Sequence, residues 1–315
     1  MNVRRPHISG AALAAVAVLG IGSLSACSTD SAAADGRFDV VASFYPMQFL
    51  AERIGGDHVH VTTLTEPGQE PHELELSLRQ RAELEESDAA LYLSGLQPSV
   101  DEAIDQAGLK TKIDAAHLTR LEDHGDVEHD HGGEEHPEEE EHSLDPHVWL
   151  DPVKYAEIAE GVGTAFAKAD PDHAADYRKN TDALVDRLHA LDTEFRDGLK
   201  NTKTKVFFTN HASFGYFAER YGLTQEAISG LDPESEPSPA RIRELREEAR
   251  ADGVTTVFYE TLVSGKTAKT LADDAGLRTD VLDPLEGLTD RSKGDDYFAV
   301  MEANLTALKK ALGAR

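Results

Sequence analysis

From Phe38 onward the chain alternates short apolar runs with amphipathic stretches. FDVVASF (38–44), HVHVTTL (58–64), AALYLSG (89–95) and KTKIDAA (110–116) have the length and composition of strands, and helical spacing fills 46–54, 77–87 and 99–107 between them. Such alternation predicts βαβ units and a mostly parallel sheet. Pro152 suits the first turn of a helix that runs to about residue 168. Over 171–201, Tyr177, Leu184, Leu188, Leu191, Phe195 and Leu199 share one stripe, which predicts a single helix. At about 1.5 Å per residue it is about 45 Å long, enough to cross a whole molecule. The alternation then restarts, with strands at 205–210, 223–229, 254–260 and 278–283 and helices at 213–221, 239–251, 265–275 and 295–313. The expected fold is α/β: two lobes, each a mostly parallel sheet flanked by helices, joined by one long rigid helix. The expected limits are 38–169 and 202–315 for the lobes and 170–201 for the linker.

Ahead of this body stand Arg4-Arg5, an apolar run over 11–21, and LSAC ending at Cys27. The pattern is that of an export signal with a lipoprotein cleavage box, so residues 1–26 are expected to be removed and 27–37 to form a flexible tether. The run is too short for a comfortable membrane span. Cys27 is the single cysteine, which excludes an intrachain disulfide and a cysteine-based zinc site. Its expected role is lipidation, placing the protein outside the cytoplasmic membrane, with two or more acyl chains making the anchoring stable.

A 40% hydrophobic content supports a sizeable core, and the formal charge of −28 excludes nucleic acid or an anionic membrane surface as the main partner. Part of that charge is concentrated in residues 122–142, which hold eleven Asp/Glu, five His (His124, His129, His131, His136 and His142) and no Lys or Arg. No packed core forms from such a composition, so it is expected to be a loop.

Ligands in open α/β sheets gather beyond the carboxyl ends of strands. His72 in EPHELELS, His147 in DPHVWLDP, His211 in FFTNHASFGYF and Asp290 in GLTDRSKGDDYF occupy such places, two in each half. Three imidazoles and a carboxylate converging in an interlobe cleft make a tetrahedral set suited to Zn²⁺. Asp283, Glu260, Glu70 or a water compete with Asp290 for the fourth position. A zinc hydrolase is the rival reading, but HELEL from His72 lacks the second His of H-E-x-x-H. SGKT (264–267) resembles the end of a phosphate loop, yet Glu260 stands where that loop requires Gly.

EPHELELS, SLDPHVWLDP, FFTNHASFGYFAERYGL and the closing DPLEGL and GDDYFAVMEANLTAL, behind a lipoprotein signal, resemble the zinc-binding branch of the metal ABC-transporter substrate-binding proteins. The resemblance implies two lobes bridged by a rigid helix, no catalysis, a monomer, and delivery of Zn²⁺ to an ABC permease in the membrane. It carries the ligands onto His72, His147 and His211, with Asp290 matching the C-terminal carboxylate. Manganese relatives resemble the chain but carry Glu at the third ligand, where this chain has His211; an adhesin on the same fold is a further alternative. The acidic segment is then an accessory collector, holding zinc weakly through His124, His129, His131, His136 and His142. Ala212 departs from the family's acidic residue after the third His, which removes the acceptor expected for that ring.

Overall fold

The computed structural model describes residues 36–124 and 144–314. The expected signal (1–26), Cys27, most of the tether (27–37), and His129, His131, His136 and His142 lie outside the described residues.

In the first half, β1 (Phe38–Ala42), β2 (Val59–Thr63), β3 (Ala89–Tyr92) and β4 (Thr111–Asp114) form a parallel sheet in the order β2-β1-β3-β4. Register is set by Val40 opposite both Val61 and Ala89, and by Leu91 opposite Ile113. Helices α1 (Tyr45–Gly55), α2 (Leu78–Glu86) and α3 (Pro98–Gln106) connect these strands. Ser77 caps α2 through a reciprocal bond with Gln80, as Ser-x-x-Gln predicts. A second parallel sheet, β5 (Val206–Thr209), β6 (Thr224–Ala227), β7 (Thr256–Tyr259) and β8 (Arg278–Val281), repeats the arrangement as β6-β5-β7-β8. Its helices are α6 (Gly215–Tyr221), α7 (Pro239–Ala251), α8 (Lys266–Ala275) and α9 (Tyr297–Leu312), while α4 (Pro152–Ala169) and α5 (Ala174–Leu199) lie between the two halves in sequence. The two α/β lobes are thus as expected.

The long helix begins three residues later than its apolar stripe suggests. Pro171 disfavours helical backbone at Asp170, so α4 ends there and a single 3₁₀ turn, Pro171–His173, re-aims the chain into α5. Tyr177, Leu184, Leu188, Leu191, Phe195 and Leu199 are all buried. Gly163 lets α4 and α5 approach closely, because a Cβ there would lie 2.1 Å from Thr181 Oγ1. One core cluster runs from Val40, Phe49 and Leu50 through Leu184, Leu188 and Phe195 to Phe207, Tyr297 and Leu308, so the lobes share their interior. Phe49 packs against Tyr297 and Phe298, with ring centroids 5.4 and 5.8 Å apart. Arg220 of α6 adds a polar tie, reaching Asp192 of α5 at 2.7 Å and Asp151 at 3.1 Å.

Candidate metal centre

His72 sits in the loop after β2. The Glu70 carboxylate accepts its backbone N–H at 3.0 Å and that of Glu73 at 3.2 Å, and Ser99 Oγ bonds the carbonyl of Leu74. His147 precedes a 3₁₀ turn, Val148–Leu150, whose three side chains are all buried. Asp151 then caps α4 by accepting from Val153 and Lys154. His211 comes two residues after β5, and Glu286 five residues after β8. All four therefore lie beyond carboxyl ends of strands or at the α4 entry, facing the same crevice.

Glu286 is aimed by a strongly held turn. Asp283 accepts the N–H of Leu285 at 2.9 Å, and the Asn304 amide bonds the Asp283 backbone in both directions at 3.0 and 2.7 Å. Trp149 Nε1 donates to the Pro284 carbonyl at 2.7 Å across the lobes. Leu285 is the one non-glycine with positive φ (60°) among the described residues, and it is fully buried. The left-handed backbone costs about 1–2 kcal/mol and persists because these bonds and the Leu285 burial over-determine it.

The side chains meet at one point. Glu286 Oε1 lies 3.3 Å from His72 Nε2, 3.3 Å from His147 Nε2 and 3.2 Å from His211 Nε2, and the last two nitrogens are 3.3 Å apart. Donors about 2.0–2.1 Å from a tetrahedral centre stand about 3.3 Å from one another, so these four separations match a zinc coordination shell. His147, His211 and Glu286 side chains are fully buried, while His72 keeps 12% of its side-chain surface.

The other faces of the rings define which atoms are free. His147 Nδ1 lies 2.8 Å from Asp145 Oδ1, which also accepts the His147 N–H at 2.9 Å. His211 Nδ1 lies 2.7 Å from Glu260 Oε1, which also accepts the His211 N–H at 3.2 Å. A carboxylate can only accept, so each Nδ1 carries the proton and each Nε2 presents a lone pair. Glu286 Oε2 is buried without a hydrogen-bond partner. Acceptor lone pairs facing one another at 3.2–3.3 Å repel unless something positive stands between them. A metal ion or a proton supplies such a charge. Burial opposes charge on His211, but the Glu260 and Glu286 carboxylates outweigh it and hold the imidazole well above its usual value. His147 is likewise raised, with burial opposed by Asp145 and Glu286. Burial would raise Glu286, yet His211, His147 and His72 hold it well below the carboxylate range.

The structure brings His72, His147 and His211 together, and it joins them with Glu286 rather than Asp290. Asp290 is exposed in the loop 288–295, which with Pro67 and Gly68 lines a separate open pocket. Glu260 is the orienting partner of His211, which resolves the Ala212 departure: the acceptor comes from the end of β7 instead of the next residue. Asp283 is spent on Leu285, Thr261 and Ser292, and Glu70 on its own loop. Glu286 stands outside the carboxylates the sequence puts forward, Asp290, Asp283, Glu260 and Glu70. Its signal is a second carboxylate, three residues after Asp283, inside the otherwise apolar VLDPLEGL. His124, grouped with the acidic segment, is packed against Asp145 and Tyr216.

Comparison with known proteins supplies a family. Residues 40–311 match the model for the zinc-uptake complex component A, periplasmic. The chain is 34% identical to the high-affinity zinc uptake system protein ZnuA of Bacillus subtilis over 92% of its own length and 93% of that protein's. It is 38% identical to the zinc-binding lipoprotein AdcA of Streptococcus pneumoniae over 91% of its length, but spans only 58% of that longer protein. Among solved structures it is similar to the Zn(II)-bound ZnuA-like domain of S. pneumoniae AdcA (TM-score 0.73, 35% identity, 88% of this chain and 99% of that one). It is also similar to the laminin-binding protein Lmb of Streptococcus agalactiae, described as having adhesin and metal-transporting activity (TM-score 0.76, 28% identity, 88% and 99%).

Proposed function

The chain belongs to the zinc-uptake component A family, and from that premise we propose that it captures one Zn²⁺ through His72, His147, His211 and Glu286 outside the cytoplasmic membrane and passes it to an ABC permease. The carrying observation is the convergence of three imidazoles and one carboxylate oxygen within 4.8 Å of one another, four of the separations being 3.2–3.3 Å, with two rings locked by Asp145 and Glu260. Three nitrogen donors favour zinc over manganese. A hydrolase needs an open coordination position for water; four protein donors, three of them fully buried, support carriage rather than catalysis. The ion enters and leaves past His72, the one partly exposed ligand, held by a loop rather than by a strand or helix.

In this reading residues 1–26 are an export signal, 27–37 a tether lipidated at Cys27, 38–169 and 202–315 the lobes and 170–201 the linker of a monomer. His129, His131, His136 and His142 collect further zinc weakly. The test is competition of the protein with a chromophoric chelator. One tight equivalent is expected, weakened by orders of magnitude in His211→Ala because a preformed site depends on its full ligand count. A His211→Ala protein that titrates like the parent sinks the assignment.

A further inference from the structure

Asp145 touches two imidazoles. Its Oδ1 holds His147, as described, and its Oδ2 lies 3.1 Å from His124 Nδ1. The carboxylate is itself fully buried, so its orientation depends on what each oxygen accepts. His124 is the first histidine of the acidic segment, yet it is built into the folded body. Its ring meets Tyr216 edge-on with centroids 4.4 Å apart, and its side chain is 16% exposed. Space for it is made by Gly215, where a Cβ would lie 2.4 Å from His124 Cβ and 2.8 Å from Asp145 Oδ2. Around it the backbone is pinned: the Asp145 N–H donates to the Glu122 carbonyl at 2.9 Å, and Tyr216 Oη, at 2.7 Å from each, accepts from the Glu122 N–H and donates to the Asp145 carbonyl. Residues 122–124 and 145 belong to one half of the chain, and Gly215 and Tyr216 to the other.

We propose that His124 is a positioning residue for the metal ligand His147: its Nδ1–H holds Asp145 Oδ2, so that Asp145 Oδ1 keeps the His147 ring turned with Nε2 toward the metal. This separates His124 from the other four histidines of the segment, which it adjoins in sequence and not in role. Without His124, Oδ2 loses its donor beside a pocket open to solvent that His124 itself lines, and the carboxylate turns toward water. His147 then loses its fixed acceptor. Residues orienting a ligand in this way typically matter 10–100-fold in metal affinity, and one acting through a second group is expected at the lower end, about tenfold.

The inference rests on the proposed zinc site, and paired variants test it. In His124→Asn the side-chain amide places a donor where Nδ1 was and nothing at Nε2. In His124→Gln the amide nitrogen replaces Nε2, which faces Glu219 at 3.0 Å, and leaves Asp145 Oδ2 without its donor. Chelator competition should show tight-site affinity near the parent's in His124→Asn and about tenfold weaker in His124→Gln. The d–d spectrum of the Co²⁺ form should shift in His124→Gln alone. Deleting 125–142 should leave the tight event intact, and deleting 122–142 should weaken it. Equal losses in Asn and Gln with unchanged thermal unfolding would make His124 an Nε2 metal ligand and overturn the proposal; parent-like titration of both would overturn it as well. Equal losses accompanied by lowered unfolding temperatures in both would reduce His124 to a packing residue, again against the proposal. Absence of a tight event in the parent would instead remove the zinc site itself, and this inference with it.

Discussion

Glu286→Gln is the most discriminating single change, because the substitution keeps the shape of the side chain and removes its charge. In the metal-free protein Glu286 Oε1 is the common contact of three imidazoles at 3.2–3.3 Å. With zinc bound, it supplies the one negative charge among the four ligands. Structural zinc sites of four ligands bind with apparent free energies of about 10–16 kcal/mol, or about 2.5–4 kcal/mol per ligand. Each 1.4 kcal/mol is tenfold, so losing the carboxylate should weaken zinc by about 100–1,000-fold. Asp290→Ala is the control: its side chain is exposed in the loop 288–295, and the expected change is within about threefold, the scale of ordinary surface substitutions. Chelator competition at fixed pH reads both numbers, and the rise in unfolding temperature on adding zinc gives an independent ranking, since stabilisation follows the ratio of free zinc to Kd. If Asp290→Ala costs as much as Glu286→Gln is expected to, or if Glu286→Gln binds like the parent, the tetrahedral reading of the site is wrong.

Zinc affinity should fall as pH is lowered from about 8 to about 5.5, because zinc must displace protons from His147 and His211, whose values are raised; a flat profile would contradict this. The sign reverses for the metal-free fold. A raised imidazole contributes stability that is fully present below the unfolded value of about 6.5 and is lost as pH rises through the folded one, so the zinc-induced rise in unfolding temperature should shrink toward acid while the contribution of these groups to metal-free stability grows. Glu260→Ala should weaken zinc by about 10–100-fold by freeing the His211 ring, with parent-like affinity counting against Glu260 as its orienting group. Trp149→Phe leaves the buried Pro284 carbonyl without its donor and should cost about 1–3 kcal/mol in denaturant unfolding, a midpoint equal to the parent's showing that water replaces the bond.

Short apolar runs alternating with period-3.6 stretches mark every strand of both sheets to within a few residues; the signal is strong in the central strands β1, β3, β5 and β7, which are mostly buried, and weaker in the edge strands β2, β4, β6 and β8. The stripe from Tyr177 to Leu199 likewise foretold α5, since one side of that helix is buried along its whole length. What resisted reading was the choice among carboxylates. Asp283, Glu286 and Asp290 all follow β8, and distance from the strand end does not rank them. The outcome depends on Asn304 of α9, on Trp149 from the other lobe, and on a left-handed Leu285, a bulky residue for which nothing local predicts positive φ. Glu260 stands in the sequence as a strand-end acid, but its role as the partner of His211 follows from the pairing of β5 with β7, which the residues beside Ala212 do not encode.

The same contacts bear on how the ion is let go. A wide hinge opening would have to part Phe49 from Tyr297 and Phe298 and Trp149 from Pro284, and it would separate Arg220 from Asp151. Those contacts belong to a continuous core, where exposing each large apolar side chain costs about 1.5–3 kcal/mol. The loop carrying His72 lacks regular structure; it is tied by the Glu70 carboxylate, the short turn bonds from Gln69 to Glu66 and from Leu74 to Pro71, and Ser99, and on either side of His72 by Thr65 and by Leu74 and Leu76, which are buried in a separate apolar cluster. Removing one ligand from four costs about as much as one or two such contacts, and it breaks the tetrahedron at its exposed corner. Displacement of the His72 ring alone is therefore the expected first step of release, since it leaves His147, His211 and Glu286, the three fully buried groups, in place.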